Sequence, residues 1–311
     1  MIPLRSPSFR PLIALLRNEL LTRSELVDSG TWQSVPTAGK PEMMTHELED
    51  VVLEFPIGTE DLAYHRQHIE PNLPWADRHF ELDRVCGEPR NPGLTWSEWP
   101  YANKADSFRD ADGQFNHSYA ERYWPKYAGL GVGVNDGVPT ERLKEDAKDP
   151  ESTIWGRTYP IEGIRYRYGD LNDVVDLLFK NPGTRGAYLP VTFPEDTGIV
   201  HGGRTPCTIG YLFRMRGGRL HVFYDIRSCD FVRHFKDDVY LTIRLLLWVL
   251  DRLREKEIEA RREPSEVPFW SSIKPGRFLM HVGSLHIFRN DWQTVFPEDD
   301  TSQRLVPRFQ T

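Results

Sequence analysis

Residues 204–238, RTPCTIGYLFRMRGGRLHVFYDIRSCDFVRHFKDD, carry the most structural information in the chain. Thr208 to Met215 and Leu220 to Ile226 are β-rich, and Arg216-Gly217-Gly218-Arg219 between them predicts a hairpin turn. Upstream, Ala187 to Thr192 is a third β-rich run. Downstream, Lys236 to Arg261 predicts a long helix whose buried face carries Val239, Ile243, Leu246, Leu247 and Leu250. Phe278 to Phe288 predicts a last strand, with Ser284, His286 and Phe288 on one face and Leu285 and Ile287 on the other. Toward the N-terminus, Asn172 to Lys180 has helical spacing and is stopped by Asn181-Pro182-Gly183. Leu48 to Phe55 alternates as a strand, and Leu12 to Leu26 predicts an opening helix. The stretch from about Pro56 to Trp155 is rich in Pro, Gly and Trp and predicts long loops. The order of elements predicts an α/β (α+β) protein with a mixed sheet and packed helices, without regular βαβ alternation.

The chain has 311 residues, 39% of them hydrophobic, with a net charge of −7. The size suits one domain, 1–311, with a loop-rich insertion at about 56–154. The acidic balance argues against nucleic acid or an anionic membrane surface as partner. Three cysteines, Cys86, Cys207 and Cys229, cannot form a disulfide framework and match no zinc spacing, and a cytoplasmic location is expected. The apolar run from Val239 to Leu253 is broken by Thr242, Arg244, Asp251 and Arg252, so no membrane span is expected. No His and carboxylate cluster has metal-site spacing, and no GxGxxG or Walker loop occurs.

Three clusters carry candidate chemistry. Cys207 follows Pro206 and lies near Arg204, which would favour a thiolate; a small buried hydrophobe at the start of a strand is the alternative. Arg227-Ser228 after a strand supplies a fork and a hydroxyl suited to phosphate, or simply a polar turn. His286 in Gly283-Ser284-Leu285-His286-Ile287-Phe288 is either a ligand contact or a structural histidine.

Taken in order, Pro-Cys before a strand, a hairpin, Arg-Ser-x-Asp, a long helix and Gly-x-x-His-x-aromatic resemble the thymidylate synthase superfamily. The resemblance is strong over about 155–292. Within it, Arg227–Asp238 and Val282–His286 are most similar to the deoxycytidylate and cytidylate 5-hydroxymethylases of phage and nucleoside-antibiotic type. The resemblance implies Cys207 as nucleophile, Glu98 (in Trp96-Ser-Glu98-Trp) as proton shuttle and Tyr159 (in Gly156-Arg-Thr-Tyr159) as an active-site tyrosine. It implies a nucleotide held by Arg204, Arg227, Ser228 and His286, with Arg185 acting across a homodimer interface. Trp124 and Asp230 are implied to contact the cofactor, 5,10-methylenetetrahydrofolate. Three positions depart from the family pattern: Phe288 in place of a tyrosine, Arg233-His234 in place of a glycine turn, and Ile226 in place of a glutamine.

The implied reaction is addition of Cys207 to C6 of a pyrimidine nucleoside monophosphate, followed by one-carbon transfer to C5. Asp238 stands where uracil-specific members carry asparagine. A carboxylate accepts from the cytosine amino group, and if protonated donates to N3, so cytosine and a hydroxymethyl product are expected. Asp237, one residue away, offers the same side chain, and Asp238 also suits a helix cap. The alternatives are C5 methylation of deoxyuridylate or deoxycytidylate, and a catalytically inactive nucleotide-binding protein.

Overall fold

The computed structural model describes residues 1–32, 35–37, 39–102, 109, 113–115, 117–127, 168–197, 204–260 and 269–299. The elements in chain order are β1 (Ile2–Arg5), α1 (Phe9–Arg23), β2 (Glu25–Val27), a small hairpin of β3 (Thr31–Trp32) and β4 (Val35–Pro36), and β5 (Thr45–Pro56). Then come α2 (Leu62–Ile69), α3 (Trp75–His79), which continues into a π-helical turn at Phe80–Arg84, and α4 (Tyr119–Tyr123). The remainder is α5 (Leu171–Lys180), β6 (Tyr188–Pro190), β7 (Thr208–Arg216), β8 (Arg219–Asp230), α6 (Phe235–Ala260), β9 (Lys274–Phe288) and α7 (Trp292–Val295).

These form a mixed α/β structure around a seven-stranded sheet of order β1-β5-β9-β8-β7-β6, with β2 also paired to β5. Pairs β1–β5 and β8–β9 are parallel, and β5–β9, β7–β8 and β6–β7 antiparallel. Gly217 and Gly218 take φ of +57° and +69° in the β7–β8 turn, the conformation a two-residue hairpin needs. One sheet face is buried: Tyr211, Tyr224, Met280 and Leu53 make one lateral row, Phe213, Val222, Phe278 and Phe55 the next.

Helix α6 covers that face, and it is buried on nearly all sides rather than along one stripe. Leu241, Leu245 and Val249 join the predicted Val239, Ile243, Leu246 and Leu250, because α2, α3 and α5 pack against its outer side. Its buried Arg244 reaches Asp77 Oδ1 (2.6 Å) and Glu81 Oε1 (2.8 Å) beside the π-helical turn. No helix among the described residues is long and apolar enough to cross a membrane.

Two expectations change. The opening helix runs Phe9–Arg23, and Leu26 belongs to β2. The span expected to be loops contains α2, α3, the π-helical turn and α4. These are five- and eight-residue pieces with few apolar positions, too short to show a helical period.

The central strands share a kink. In β5 the buried positions change parity between Leu48 and Val51, in β9 between Leu285 and Val282, and in β8 between Cys229 and Ile226. The registers align them: Val51, Val282 and Ile226 lie side by side, as do Leu48, Leu285 and Cys229. At the kink, Asp50 takes φ of +53°. Gly283 passes so close to Arg227 that a Cβ on it would lie 2.8 Å from the Arg227 carbonyl oxygen. A Gly283→Ala substitution is therefore expected to destabilise the protein by about 1–3 kcal/mol, read as a lowered urea midpoint.

Candidate active site

The kink delivers Arg227 to the loop that carries Cys207. Arg227 N donates to the Cys207 carbonyl (2.9 Å), its Nε to the Pro206 carbonyl (3.0 Å) and its Nη2 to the Thr205 carbonyl (3.0 Å). That places Nη2 3.8 Å from Cys207 Sγ. A β-bulge follows directly, between Thr208 and Gly210, where the strand is re-aimed past the cysteine. Burial pushes the Cys207 thiol up, Arg227 and Arg204 pull it down, and Asp238 pushes it up again. Two cations and one acid thus converge on one sulfur. The Arg204 carbonyl meets His117 Nδ1 at 3.1 Å, tying this loop to the segment before α4.

Asp238 lies in the first turn of α6 and accepts from the Cys229 thiol (Sγ to Oδ2, 3.6 Å). Burial lifts its pKa to about 7, with Arg84 opposing the rise and Asp237 adding to it. The two neighbouring aspartates separate cleanly. Asp237 is 3% exposed and held by Asn72, whose backbone N (2.8 Å) and Nδ2 (2.7 Å) occupy both carboxylate oxygens. Asp238, Cys207, Arg204, Tyr119 and His286 are half-buried: protein crowds them, yet each keeps a part in solvent, as the lining of a recess does.

Beneath the recess is a polar aromatic layer. Thr208 Oγ1 lies 3.2 Å from the Tyr119 hydroxyl and 2.9 Å from that of Tyr224, and Tyr224 stacks on Tyr211 at 4.8 Å. Arg84, Tyr119 and Tyr224 were not singled out in the sequence. They come from three distant segments, and no local spacing marks them.

On the other side, β8 and β9 bring Asp230 beside His286 and Ser228 beside Ser284. Burial lowers the His286 pKa, against the pull of Asp230 and Glu47, which favours the neutral ring. Asp230 is buried and bonds Arg233 Nη1 (2.5 Å) and the backbone N of Val232 (2.9 Å) and Arg233 (3.0 Å). Its carboxylate orients Arg233, which also pairs with Asp291 and lies 4.8 Å over the Phe288 ring. Trp99 stacks on His234 at 4.7 Å and also approaches Trp75 and Tyr101.

The remaining expected residues are placed differently. Trp124 is 2% exposed, donates its indole N–H to the Arg84 carbonyl (3.0 Å) and packs edge-on to Trp248. It is buried in the core, whereas a cofactor contact was expected of it. Glu98 is exposed, and Arg78 engages both its oxygens (2.8 and 3.0 Å). No contact among the described residues joins it to Cys207. Arg185 is exposed in the turn before β6, and Tyr159 lies outside the described residues.

With the site in place, likenesses to known proteins can be weighed. No protein-family model matches the chain. A Methanosarcina barkeri protein described as a "Putative thymidylate synthase" is 27% identical over 168 residues, which is 50% of this chain. The match spans 65% of that relative's length, under two thirds of it. Thermostable thymidylate synthase A from Bacillus subtilis shares the fold, with a TM-score of 0.52 and 12% identity over 91% of this chain and 80% of that one.

Alkylation of Cys207 by iodoacetamide tests the electrostatics. Its rate is expected to rise only at pH above the ordinary thiol range, and Arg227→Gln is expected to move that rise to still higher pH. An unmoved profile would show that Arg227 does not stabilise the thiolate.

Proposed function

We propose that this protein transfers a one-carbon unit from 5,10-methylenetetrahydrofolate to C5 of a cytosine nucleoside monophosphate, leaving a hydroxymethyl group. The observation that carries the reading is a half-buried cysteine held between two arginines, with a lone carboxyl of pKa about 7 facing the same recess. The thymidylate synthase fold supports the reaction class.

The Cys207 thiolate adds to C6 of the base, and the electron pair moves to C5. The folate, when bound, supplies the electrophilic methylene. The Trp99–His234 stack, with Tyr101 beside it, is an aromatic shelf suited to a flat bicyclic ring. C5 would bond that methylene as its bonds to the folate nitrogens break and tetrahydrofolate departs; C5 then loses its proton, water adds at the exocyclic carbon, and Cys207 leaves as the thiolate. Arg227 and Arg204 take the phosphate, joined by Arg185 of a second copy, and His286 and Ser228 take the sugar. Asp230 acts through Arg233. The proton-transfer role implied for Glu98 is not carried into this reading, because Arg78 holds both of its oxygens.

A homodimer is part of the proposal. Opposite the helices, Tyr188, Leu212, Phe223 and Leu279 make a lateral row that is half-buried or exposed, an apolar strip open on the face from which Arg227 emerges. Mixing Cys207→Ala with Arg185→Ala subunits is expected to restore activity, since one hybrid site keeps both residues.

Base choice rests on Asp238. Its carbonyl oxygen accepts from the cytosine amino group and, when the group is protonated, its hydroxyl donates to N3, which completes the cytosine pair. The name of the archaeal relative favours uracil methylation instead, and products distinguish the two. Mass analysis with the four pyrimidine monophosphates is expected to show a hydroxymethyl adduct of a cytosine nucleotide without dihydrofolate. Asp238→Asn is expected to move the ratio of kcat/KM values toward uracil by roughly 30- to 100-fold. Cys207→Ala is expected to abolish C5 hydrogen exchange while nucleotide binding persists.

A further inference from the structure

Cys229 takes no part in the chemistry described so far, yet the fold presses it against the group on which base choice rests. It is 2% exposed and lies above the kink in β8, where the change of parity turns it inward beside Leu285 of β9. Its Sγ is 3.6 Å from Asp238 Oδ2 in the first turn of α6. The other acceptor within reach, the Asp230 carbonyl, is farther at 3.9 Å and already accepts from the His234 backbone N (3.0 Å). Burial, with Asp238 and Asp230 beside it, raises the Cys229 thiol well above its ordinary range, so the sulfur keeps its proton and stays a donor.

A thiol donor needs an oxygen that accepts well. The two oxygens of an ionised carboxylate accept equally, but those of the neutral acid do not: the carbonyl oxygen accepts well and the hydroxyl oxygen poorly. The bond from Cys229 therefore keeps the carbonyl on the oxygen that faces the sulfur and the proton on the other. Rotating the carboxyl changes nothing, because whichever oxygen turns toward the sulfur becomes the carbonyl. The neutral form is populated near neutral pH, since burial lifts the Asp238 pKa to about 7. The other groups whose charge bears on Asp238 are Arg84, Asp237 of α6, Cys207 before β7, and the phenols Tyr119 and Tyr224. Asp237 is occupied by Asn72, and the Tyr224 hydroxyl lies 2.9 Å from Thr208 Oγ1. Cys229 bonds the carboxyl itself.

The position of that proton separates the two bases. Cytosine pairs with a carbonyl opposite its amino group and a hydroxyl opposite N3. Uracil needs the two exchanged, a hydroxyl opposite O4 and a carbonyl opposite N3–H. An acid free to carry its proton on either oxygen satisfies both edges, and one held in a single form satisfies only one. We propose that Cys229 is a positioning residue which acts through Asp238, holding the acid in the form that matches cytosine; this rests on the reading of Asp238 as the group that faces the base.

The test compares wild type with Cys229→Ala, which removes the donor, and Cys229→Ser, which keeps one. The cytosine-to-uracil ratio of kcat/KM is measured at about pH 6, below the Asp238 pKa, where the neutral acid prevails. The ratio is expected to fall by roughly three- to tenfold in Cys229→Ala and to stay within about twofold of wild type in Cys229→Ser. Loss of packing alone would slow both nucleotides together and leave the ratio unmoved, which overturns the proposal. An equal fall in the two variants overturns it as well. Should Cys229→Ala not fold, the wild-type S–H stretching band decides, assigned by its loss in Cys229→Ser. A thiol bonds a carboxylate more strongly than a neutral acid, so the band is expected at lower frequency at about pH 8 than at about pH 6. An unmoved band overturns the proposal, and so does one that moves in the same way in Asp238→Asn. The band needs no substrate. Failure of the functional reading, with neither nucleotide turned over, is therefore distinct from failure of this one.

Discussion

The approach of Gly283 to the Arg227 carbonyl is the contact on which the site depends. Three adjacent strands change the parity of their buried positions at one level, and the sheet can bend there only because no Cβ stands between β8 and β9. Below the kink, odd positions of β8 such as Asp225 lie on the open face. Above it Cys229 points into the core, where its thiol meets Asp238. Arg227 sits at the changeover. From there it reaches sideways to the loop of Cys207, instead of standing on the sheet as its neighbours do. The Cys207 loop is thus braced from a kink in a strand that does not carry it.

The charges around the recess are arranged in opposition. Cys207 is lifted by burial and lowered by Arg227 and Arg204, while Asp238 is lifted by burial and lowered by Arg84. For Asp238 the balance falls at a pKa of about 7, and for Cys207 burial outweighs the two arginines and the thiol is net raised. The structural acids nearby behave differently. Asp237 has both oxygens bonded to Asn72, and Asp196 is locked in a fully buried bidentate pair with Arg122. These hold segments together and are not open to a ligand.

Much of this was legible in the sequence between Thr208 and Phe288. Strands and a helix of nine or more residues show their period, and the Gly-Gly hairpin names its own turn. Cys207 and Arg227 meet because a hairpin brings the start of one strand beside the end of the next. What the sequence concealed was assembled across distance. Arg84 and Tyr119 lie in short helical pieces of the region read as loops, and nothing in HFELDR or HSYAER marks a residue that packs under a strand far along the chain. Trp124 differs the other way: the motif suggests a ligand contact, and the structure encloses the side chain in the core. Asp237 and Asp238 are alike in the sequence and differ in the fold, where Asn72 bonds both oxygens of Asp237.

Arg227 performs two tasks with one side chain. Its Nε and Nη2 bond the carbonyls that shape the cysteine loop, and its exposed guanidinium gives the recess its positive charge. No other residue offers both. Lysine would keep the charge but has no planar fork to span the Thr205 and Pro206 carbonyls, and glutamine would keep a donor but lose the charge. In evolutionary terms the position has no neutral neighbour: a lineage that relinquished this cation would also lose the shape of the Cys207 loop. Drift at this site must therefore proceed through compensating changes in the loop itself.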